Sequence, residues 1–218
     1  MTTRFTVSYP VPYAAQLASP ELAYAFFAQG MNPALDPRWA ESGAESPAEY
    51  AYWVDRACGI ACVKMCVEAL GGPQRRLLDW VRDGLALDGY LVAEDENGQP
   101  VEKGWVHRAL AELIQRAGFH AQPRPAGEPE LLAWLRQDQM VIASVSYEIG
   151  DNLPITRKGG HLVVLHGADL DADEQVQAWI VHNPSGRHAE TRTGARIPRE
   201  RFAQAFSGRV ILVSRQPI

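Results

Sequence analysis

The fold of this chain is decided around residues 55–65, where a short turn leads into a helix that begins at a cysteine. The residues read Asp55-Arg56-Ala57-Cys58-Gly59-Ile60-Ala61-Cys62-Val63-Lys64-Met65. The first N–H groups of a helix have no partner inside the helix and carry partial positive charge, so they favour a thiolate over a thiol. The position marks Cys58 as a candidate nucleophile.

The three cysteines of the chain, Cys58, Cys62 and Cys66, are spaced at i, i+4 and i+8 along this predicted helix. Neighbouring turns of one helix give poor disulfide geometry, so we expect reduced thiols, with Cys62 and Cys66 as packing groups. Closed zinc sites use short Cys-x-x-Cys turns and collect ligands from separate segments. The pattern therefore predicts no metal site, and nothing in the chain calls for a cofactor.

Composition and charge narrow the class of protein. The chain has 218 residues, 46% of them hydrophobic, and its 21 Lys and Arg against 26 Asp and Glu give a net charge of −5. We expect one compact domain over residues 1–218, with no basic stretch to bind nucleic acid or an anionic membrane surface. No secretion signal opens the chain, and no apolar run approaches the about 18 residues that span a bilayer. These features predict a cytoplasmic protein without membrane insertion.

The periodicity of the apolar residues changes along the chain. Helical spacing predicts helices over 20–27, with Ser19 as cap, and then over 58–70, 74–85, 103–117 and 129–137. Residues 95–100 form a loop, and residues 17–50 look like an insertion or surface excursion before the cysteine helix. From residue 140 the period is two, which predicts strands over 140–147, 161–168, 176–182 and 209–214, a weaker one over 189–197, and a closing helix over 198–206.

Helices followed by a run of strands predict an α+β fold, with N-terminal helices packed on a C-terminal, largely antiparallel sheet. A thiol at a helix start and a histidine at the start of a facing strand can meet across a groove in this arrangement. His161 begins a predicted strand, and Asn183 follows the next one. The pair supplies what a nucleophilic cysteine needs, a base and a group that orients the base. The Cys58 N–H and a side-chain amide from the N-terminal segment could stabilise an oxyanion.

Other polar and aromatic residues have less specific interpretations. His166 should point away from His161 on a regular strand, which argues against a two-histidine metal pair, and His182 is a supporting or surface residue. Asp169 and Asp171 follow a strand and are predicted to be turn residues.

Four motifs in order resemble the bacteriocin-processing cysteine peptidases, which remove double-glycine leader peptides, and their freestanding relatives. The motifs are Cys58-Gly59-Ile60-Ala61-Cys62 with Met65 and Gly71-Gly72, Gly160-His161-Leu162-Val163-Val164-Leu165, Asn183-Pro184-Ser185-Gly186, and the tail from Ile197 to Leu212. The resemblance covers about residues 55–215. It implies a papain-like fold and a peptide or protein substrate. Tyr52 and Trp53 then become candidates for the wall of the substrate groove instead of core residues, and Gly160 a candidate lining residue.

Two positions depart from the family pattern. The family has an oxyanion-hole glutamine shortly before its cysteine, whereas residues 50–55 here contain none. Freestanding relatives can open with a Val-Pro-Tyr-x-x-Gln segment, which matches residues 11–16. Gln16 is therefore the predicted oxyanion residue, with residues 17–50 inserted after it, and Gln29 is the alternative. Asn183 stands where the family usually has an acid.

The resemblance and the residues together predict a cysteine hydrolase of peptide or amide bonds, with Cys58, His161 and Asn183 as the triad. The same triad serves an acyltransferase or a glutamine deamidase, and the sequence leaves these alternatives open. A catalytically silent peptide-binding module is the third alternative, since the nearby glutamine is missing and Asn183 is uncharged. No transporter segment follows, so we do not expect leader removal coupled to export.

Overall fold

The computed structural model describes residues 2–151 and 154–217. Its helices are α1 Ala23–Gln29, α2 Pro47–Val54, α3 Cys58–Ala69, α4 Leu77–Leu85, α5 His107–Arg116, α6 Glu128–Leu135 and α7 Arg199–Ala205. Its strands are β1 Thr3–Thr6, β2 Tyr90–Glu94, β3 Pro100–Trp105, β4 His120–Pro125, β5 Met140–Val145, β6 His161–Leu170, β7 Val176–His182, β8 Ala195–Pro198 and β9 Arg209–Ser214. Short 3₁₀ turns connect several of them. None of the described helices is long and apolar enough to cross a bilayer.

The main sheet has the strand order β4-β9-β5-β6-β7-β8, and every neighbouring pair is antiparallel. β5 pairs with the first half of β6, and β1 pairs with its second half, so one long central strand carries two partners along the same edge. β2 and β3 form a separate hairpin. The predicted α+β fold with a largely antiparallel sheet is confirmed.

The cysteine helix lies in the core: nine of its twelve residues are buried. Apart from Lys64 and Glu68, its side chains are apolar or absent, which favours this burial. Gly59 brings it close to its neighbours: a Cβ atom at this position would lie 2.7 Å from Leu110 of α5 and 3.0 Å from Leu162 of β6. A larger residue at this position would require the ends of these two leucine side chains to move. The first turn of α3 is thereby pressed against the start of β6, which is where His161 lies.

The N-terminal segment runs along the sheet before the first helix. After β1, the Val7 N–H donates to the His166 carbonyl oxygen at 3.0 Å. The Ser8 N–H and hydroxyl then bind the Asp138 carboxylate at 2.6 and 2.8 Å. Val11 accepts a hydrogen bond from His182 at 2.8 Å. These bonds fix the path of residues 7–11 across the molecule.

Residues 17–50 form 3₁₀ turns and short helices around a small apolar cluster of Leu17, Ala23, Phe26, Tyr50 and Val54. The buried Asp36 carboxylate ties the segment together by accepting from Ser19 N–H and hydroxyl, from Arg38 N–H and from Tyr50 hydroxyl. Burial acts to raise the pKa of Asp36, but these hydrogen bonds outweigh it and the pKa is lowered. Ser19 occupies the N-cap position as predicted, but its hydroxyl donates to Asp36 and forms no capping hydrogen bond.

Several predicted boundaries are corrected. Residues 103–105 belong to β3, and the loop over 95–100 is the turn of the β2–β3 hairpin, with Pro100 already in the strand. The weak strand over 189–197 is a 3₁₀ turn followed by the shorter β8. β1, β2, β4 and α2 were not predicted, and α4 begins at Leu77 instead of at residue 74. Asp169 is no turn residue, since it lies buried in β6 and binds Arg4 and Arg196, each through its Nε.

Candidate active site

The three predicted triad residues come from separate elements and line one cavity of about 250 Å³. Cys58 is the first residue of α3, His161 is the first residue of β6, and Asn183 directly follows β7. A second, larger cavity of about 740 Å³ also includes Cys58 and His161 and extends away from Asn183. The thiol therefore lies where the two cavities meet.

His161 and Asn183 are hydrogen-bonded, with 2.8 Å between Nε2 of the ring and Oδ1 of the amide. The same Oδ1 also accepts from the Ser185 N–H at 3.2 Å. Because this oxygen can only accept, Nε2 carries the ring proton and Nδ1 is the unprotonated nitrogen. Asn183 thus fixes both the tautomer and the orientation of the imidazole.

Burial lowers the pKa of His161 to about 4, and the bond to Asn183 opposes the shift. A buried imidazole loses hydration when it becomes charged, and no described anion replaces the lost water. The ring is therefore neutral at neutral pH and is available as a base.

The Cys58 sulfur is surrounded by backbone donors, namely its own N–H and those of Gly59 and Leu162. The Leu162 donor places the thiol against the strand that begins at His161. Burial nevertheless raises the pKa of Cys58, and the three donors oppose the rise. This corrects the expectation of a thiolate at the helix start, because desolvation outweighs the helix end in the free protein.

The other two cysteines are fully buried, whereas Cys58 is only partly buried, and all three are free. Burial raises the pKa of both Cys62 and Cys66. Both also belong to the main apolar core. The predicted distinction between one site cysteine and two packing cysteines agrees with these positions.

Gln16 lies in the cavity that contains the triad residues and is buried, with 2% of its surface exposed. Its backbone N–H donates to Pro184 O at 2.9 Å, and its side-chain Nε2 donates to Val54 O at 2.6 Å. Its Oε1 has no hydrogen-bond partner among the described residues. Gln29, the alternative, is exposed at the last residue of α1 and is not part of this cavity lining.

The predicted groove residues separate into two groups. Gly160 lines both cavities, with a left-handed φ of 94° that favours glycine. Trp53 is buried and packs its ring against Tyr90 and Trp105, which line the second cavity. Tyr52 is exposed and bonds Glu102, and neither it nor Trp53 belongs to the lining of the two cavities. Both residues therefore contact side chains that line the second cavity without lining it themselves.

His166 does not lie in a regular strand, as the sequence analysis assumed. β6 has a register shift between Leu165 and Gly167, and the His166 ring packs on that of His182 with 4.3 Å between centroids. His182 is buried, donates from Nε2 to Val11 O and accepts the Gly194 N–H at Nδ1, so it is a supporting residue and not a surface one. Both of its nitrogens are therefore occupied.

Sequence reasoning missed two residues of the site. Ser185 lies 3.2 Å from His161 Nε2 through its hydroxyl, and its N–H closes a turn on the Asn183 side chain. An Asn followed by a small polar residue two positions later favours such a turn, so this one had a local signal. Arg157 lines both cavities and lies against Gly160. It had no signal, because its position depends on the fold of the loop before β6.

Comparisons with known proteins agree at the level of the fold. No family model and no curated protein matches the chain in sequence. Among solved structures, a putative C39-like peptidase from Bacillus anthracis matches with a TM-score of 0.52 and 16% identity, over 75% of this chain and 91% of that one. The peptidase domain of Streptococcus ComA, a bifunctional ABC transporter, gives a TM-score of 0.47 and 15% identity, over 74% of this chain and 93% of that one.

A third structure is a double glycine motif protease from an AMS/PCAT transporter in complex with its leader peptide. It gives a TM-score of 0.45 and 17% identity, over 73% of this chain and 84% of that one. The match to the Bacillus anthracis structure carries the comparison, because its TM-score exceeds 0.5 over nearly the whole of that chain. This chain has the papain-like α+β fold of the C39-like peptidases.

Proposed function

We propose that this protein is a cysteine hydrolase that cleaves a peptide or amide bond. Cys58 is the nucleophile, His161 is the base, and Asn183 orients His161. The observation that carries the proposal is the 2.8 Å bond between His161 and Asn183, formed beside a thiol at a helix start. Because Nε2 is held by an amide oxygen, Nδ1 is the nitrogen left to act as the base.

The proposed reaction starts from a neutral Cys58 thiol and a neutral His161 imidazole. The Cys58 sulfur attacks the substrate carbonyl carbon while the thiol proton passes to His161 Nδ1. That proton then goes to the leaving amine as the C–N bond breaks, which leaves a thioester on Cys58. Water attacks the thioester, gives a proton to Nδ1, and the sulfur recovers it as the acid leaves.

Gln16 is the side chain we assign to the oxyanion. One hydrogen of its amide nitrogen is used by Val54 O, and the second remains for a substrate oxygen. The backbone donors around the Cys58 sulfur supply further partial positive charge at the same point. The burial of Gln16 supports this assignment. A donor that is already fixed in a site without water needs no reorganisation when the negative charge develops on the substrate oxygen.

We infer a peptide as the substrate and the cytoplasm as the location. Two cavities meet at Cys58 and offer space on both sides of the thiol for an extended chain. The fold is that of a C39-like peptidase, and the three free cysteines suit a reducing compartment.

Alkylation tests the nucleophile. Iodoacetamide at neutral pH should label the native protein once, at Cys58, and the label should be absent from Cys58→Ala. Cys62→Ala is the matched control, because it removes a buried thiol from the same helix and should leave labelling intact. Equal labelling of the two variants would contradict the proposal.

Product mass separates the reactions that share this triad. A peptide library incubated with the native protein should give two fragments whose masses add up to the substrate plus one water. Addition of an amine nucleophile should leave that outcome unchanged. A mass increase of about one at glutamine, or an amide formed with the added amine, would identify a deamidase or an acyltransferase instead.

A further inference from the structure

The second cavity is a groove that begins at the site and runs along the β2–β3 hairpin and the start of β9. Its lining includes Tyr90, Glu102 and Trp105 of the hairpin and Arg209 of β9. It is the larger of the two cavities that contain Cys58, at about 740 Å³. A bound chain that reaches Cys58 from this side has to lie in it.

Positive side chains predominate in this groove. Its lining contains the cations Arg56, Lys103, Arg108, Arg157 and Arg209. Its carboxylates are Asp55 and Glu102. The local sign is thus opposite to the net charge of −5 of the whole chain. A charged cleft of one sign attracts ligands of the other sign.

The charged groups of the groove differ in whether they form ion pairs. Glu102 forms an ion pair with Arg56 at 2.7 Å and accepts a hydrogen bond from the Tyr90 hydroxyl at 3.0 Å. Lys103 and Arg209 form no ion pair or hydrogen bond through their side chains with any residue in the described part of the chain. Two cations therefore line the groove with no side-chain ion pair or hydrogen bond among the described residues.

Arg157 is held at the inner end of the groove. Its guanidinium lies over the Tyr147 ring, 4.5 Å from the centroid, and 3.6 Å from where a Cβ of Gly160 would be. The loop that carries it is fixed by Glu148, which accepts hydrogen bonds from Thr156 N–H and hydroxyl. A planar guanidinium held in this way is suited to a carboxylate, which it can bind through two parallel bonds.

We propose that this basic groove, defined by Lys103, Arg157 and Arg209, selects peptide substrates that carry Asp or Glu side chains beside the scissile bond. The inference rests on the proposed function, since it names the substrate class of the same site. An extended acidic segment places alternate side chains along one edge, where they meet the unpaired cations. The anionic side chains are bound at the groove, and the backbone continues to Cys58.

Binding measured without catalysis tests this proposal. In a Cys58→Ala background, a fluorescent peptide of alternating glycine and glutamate should bind more tightly than glycine–glutamine and glycine–lysine peptides of equal length. Added salt should weaken the binding of the acidic peptide most. Lys103→Glu and Arg209→Glu should each weaken it about tenfold at low salt, because charge reversal replaces attraction with repulsion.

Arg136→Glu is the matched control. Arg136 is an exposed arginine paired with Glu174, a residue of the turn that follows the far end of β6, and it is absent from the groove lining. Equal affinity for the acidic and neutral peptides would overturn the inference, and so would an equal loss with Arg136→Glu. Tighter binding of a single-stranded oligonucleotide of the same charge would overturn it as well.

The two proposals fail separately. Because the peptides are bound by a protein that lacks the Cys58 thiol, their affinity is independent of turnover. Alkylation of Cys58 by the small, uncharged iodoacetamide in turn needs no basic groove. Acid-selective binding with no labelling would leave a groove that selects acidic peptides and would remove the hydrolase. Labelling without acid-selective binding would leave the proposed nucleophile and overturn the acidic substrate class.

Discussion

The backbone N–H of Gln16 donates to the carbonyl oxygen of Pro184 at 2.9 Å, which joins the N-terminal segment to the residue after Asn183. The Gln16 side chain meanwhile donates to Val54 O, four residues before Cys58. A single residue therefore connects the strand side of the site with its helix side. Its backbone N–H is held by Pro184 and its side-chain amide by Val54, so both ends of the residue are fixed.

Gln16→Ala should lower turnover without lowering alkylation of Cys58. Loss of one oxyanion donor costs about 10²–10³ in kcat, because the developing charge loses its fixed partner. Alkylation by iodoacetamide forms no oxyanion, so its rate should remain within about twofold. Steady-state hydrolysis and the labelling rate, measured on the same preparation, separate the two effects. Gln29→Ala should change neither, and a loss of turnover there would transfer the role to Gln29.

Asn183→Asp should raise the pKa of His161. A carboxylate in place of the amide stabilises the imidazolium, and an adjacent opposite charge shifts a pKa by about one to three units. The acid limb of the pH profile of labelling should then move upward from its position near the pKa of about 4. Ser185→Ala removes only a neutral hydroxyl and should move the limb much less. An unchanged limb in the Asp variant would show that His161 does not control the thiol.

His161→Gln should leave a thiol that reacts only in alkaline solution. With the base removed, alkylation depends on free ionisation of Cys58, whose pKa is raised by burial. The labelling rate should rise with pH in the variant, whereas that of the native protein should already be high at neutral pH. Turnover at neutral pH should fall by about 10²–10⁴, the usual contribution of a general base. Matching pH profiles for the two proteins would remove His161 from the mechanism.

The buried histidines should make the fold sensitive to acid. Burial and the neighbouring His182 lower the pKa of His166 to about 3, whereas an unfolded histidine titrates near about 6.5. Between those values only the unfolded state takes up the proton, so stability is complete above pH 6.5 and falls as the pH drops. At pH 5 one such group costs about 2 kcal/mol of the free energy of unfolding.

Urea unfolding at pH 5 and pH 7.5 checks this expectation. His166→Phe should reduce the difference between the two pH values, even if it changes the stability at both. His188→Phe is the control, because His188 is exposed and its replacement should leave the difference unchanged. An undiminished difference in His166→Phe would place the acid sensitivity elsewhere.

The sequence predicted the elements whose periodicity is local and strong. The cysteine helix ends within one residue of its prediction, and β7 and β9 match theirs in full, because long apolar patterns set their limits. β4 was missed since His120-Ala121-Gln122-Pro123 has almost no apolar alternation and forms a strand only through pairing with β9. Pairing partners that lie far away in the chain leave no local pattern.

The sequence likewise predicted some features of the site and not others. Spacing and motif order placed Cys58, His161 and Asn183 in one cavity, and an N-terminal motif pointed to Gln16. The protonation state could not be read from the sequence, because it depends on how deeply the fold buries the thiol and the imidazole. The basic groove was missed for a related reason: its three cations are far apart in the chain and gather only on the folded surface.

The path of residues 7–11 along the sheet makes the N-terminal segment a separable part of the proposed active site. One proteolytic cut between Gln16 and α1 would separate β1 and Gln16 from the remaining chain, which keeps Cys58, His161 and Asn183. The clipped protein would keep a reactive thiol and lose turnover. The released segment is held without a covalent bond, by strand pairing, the Arg4–Asp169 ion pair and apolar packing that includes Val7. A synthetic peptide of its sequence could therefore dock again and restore the missing donor in trans.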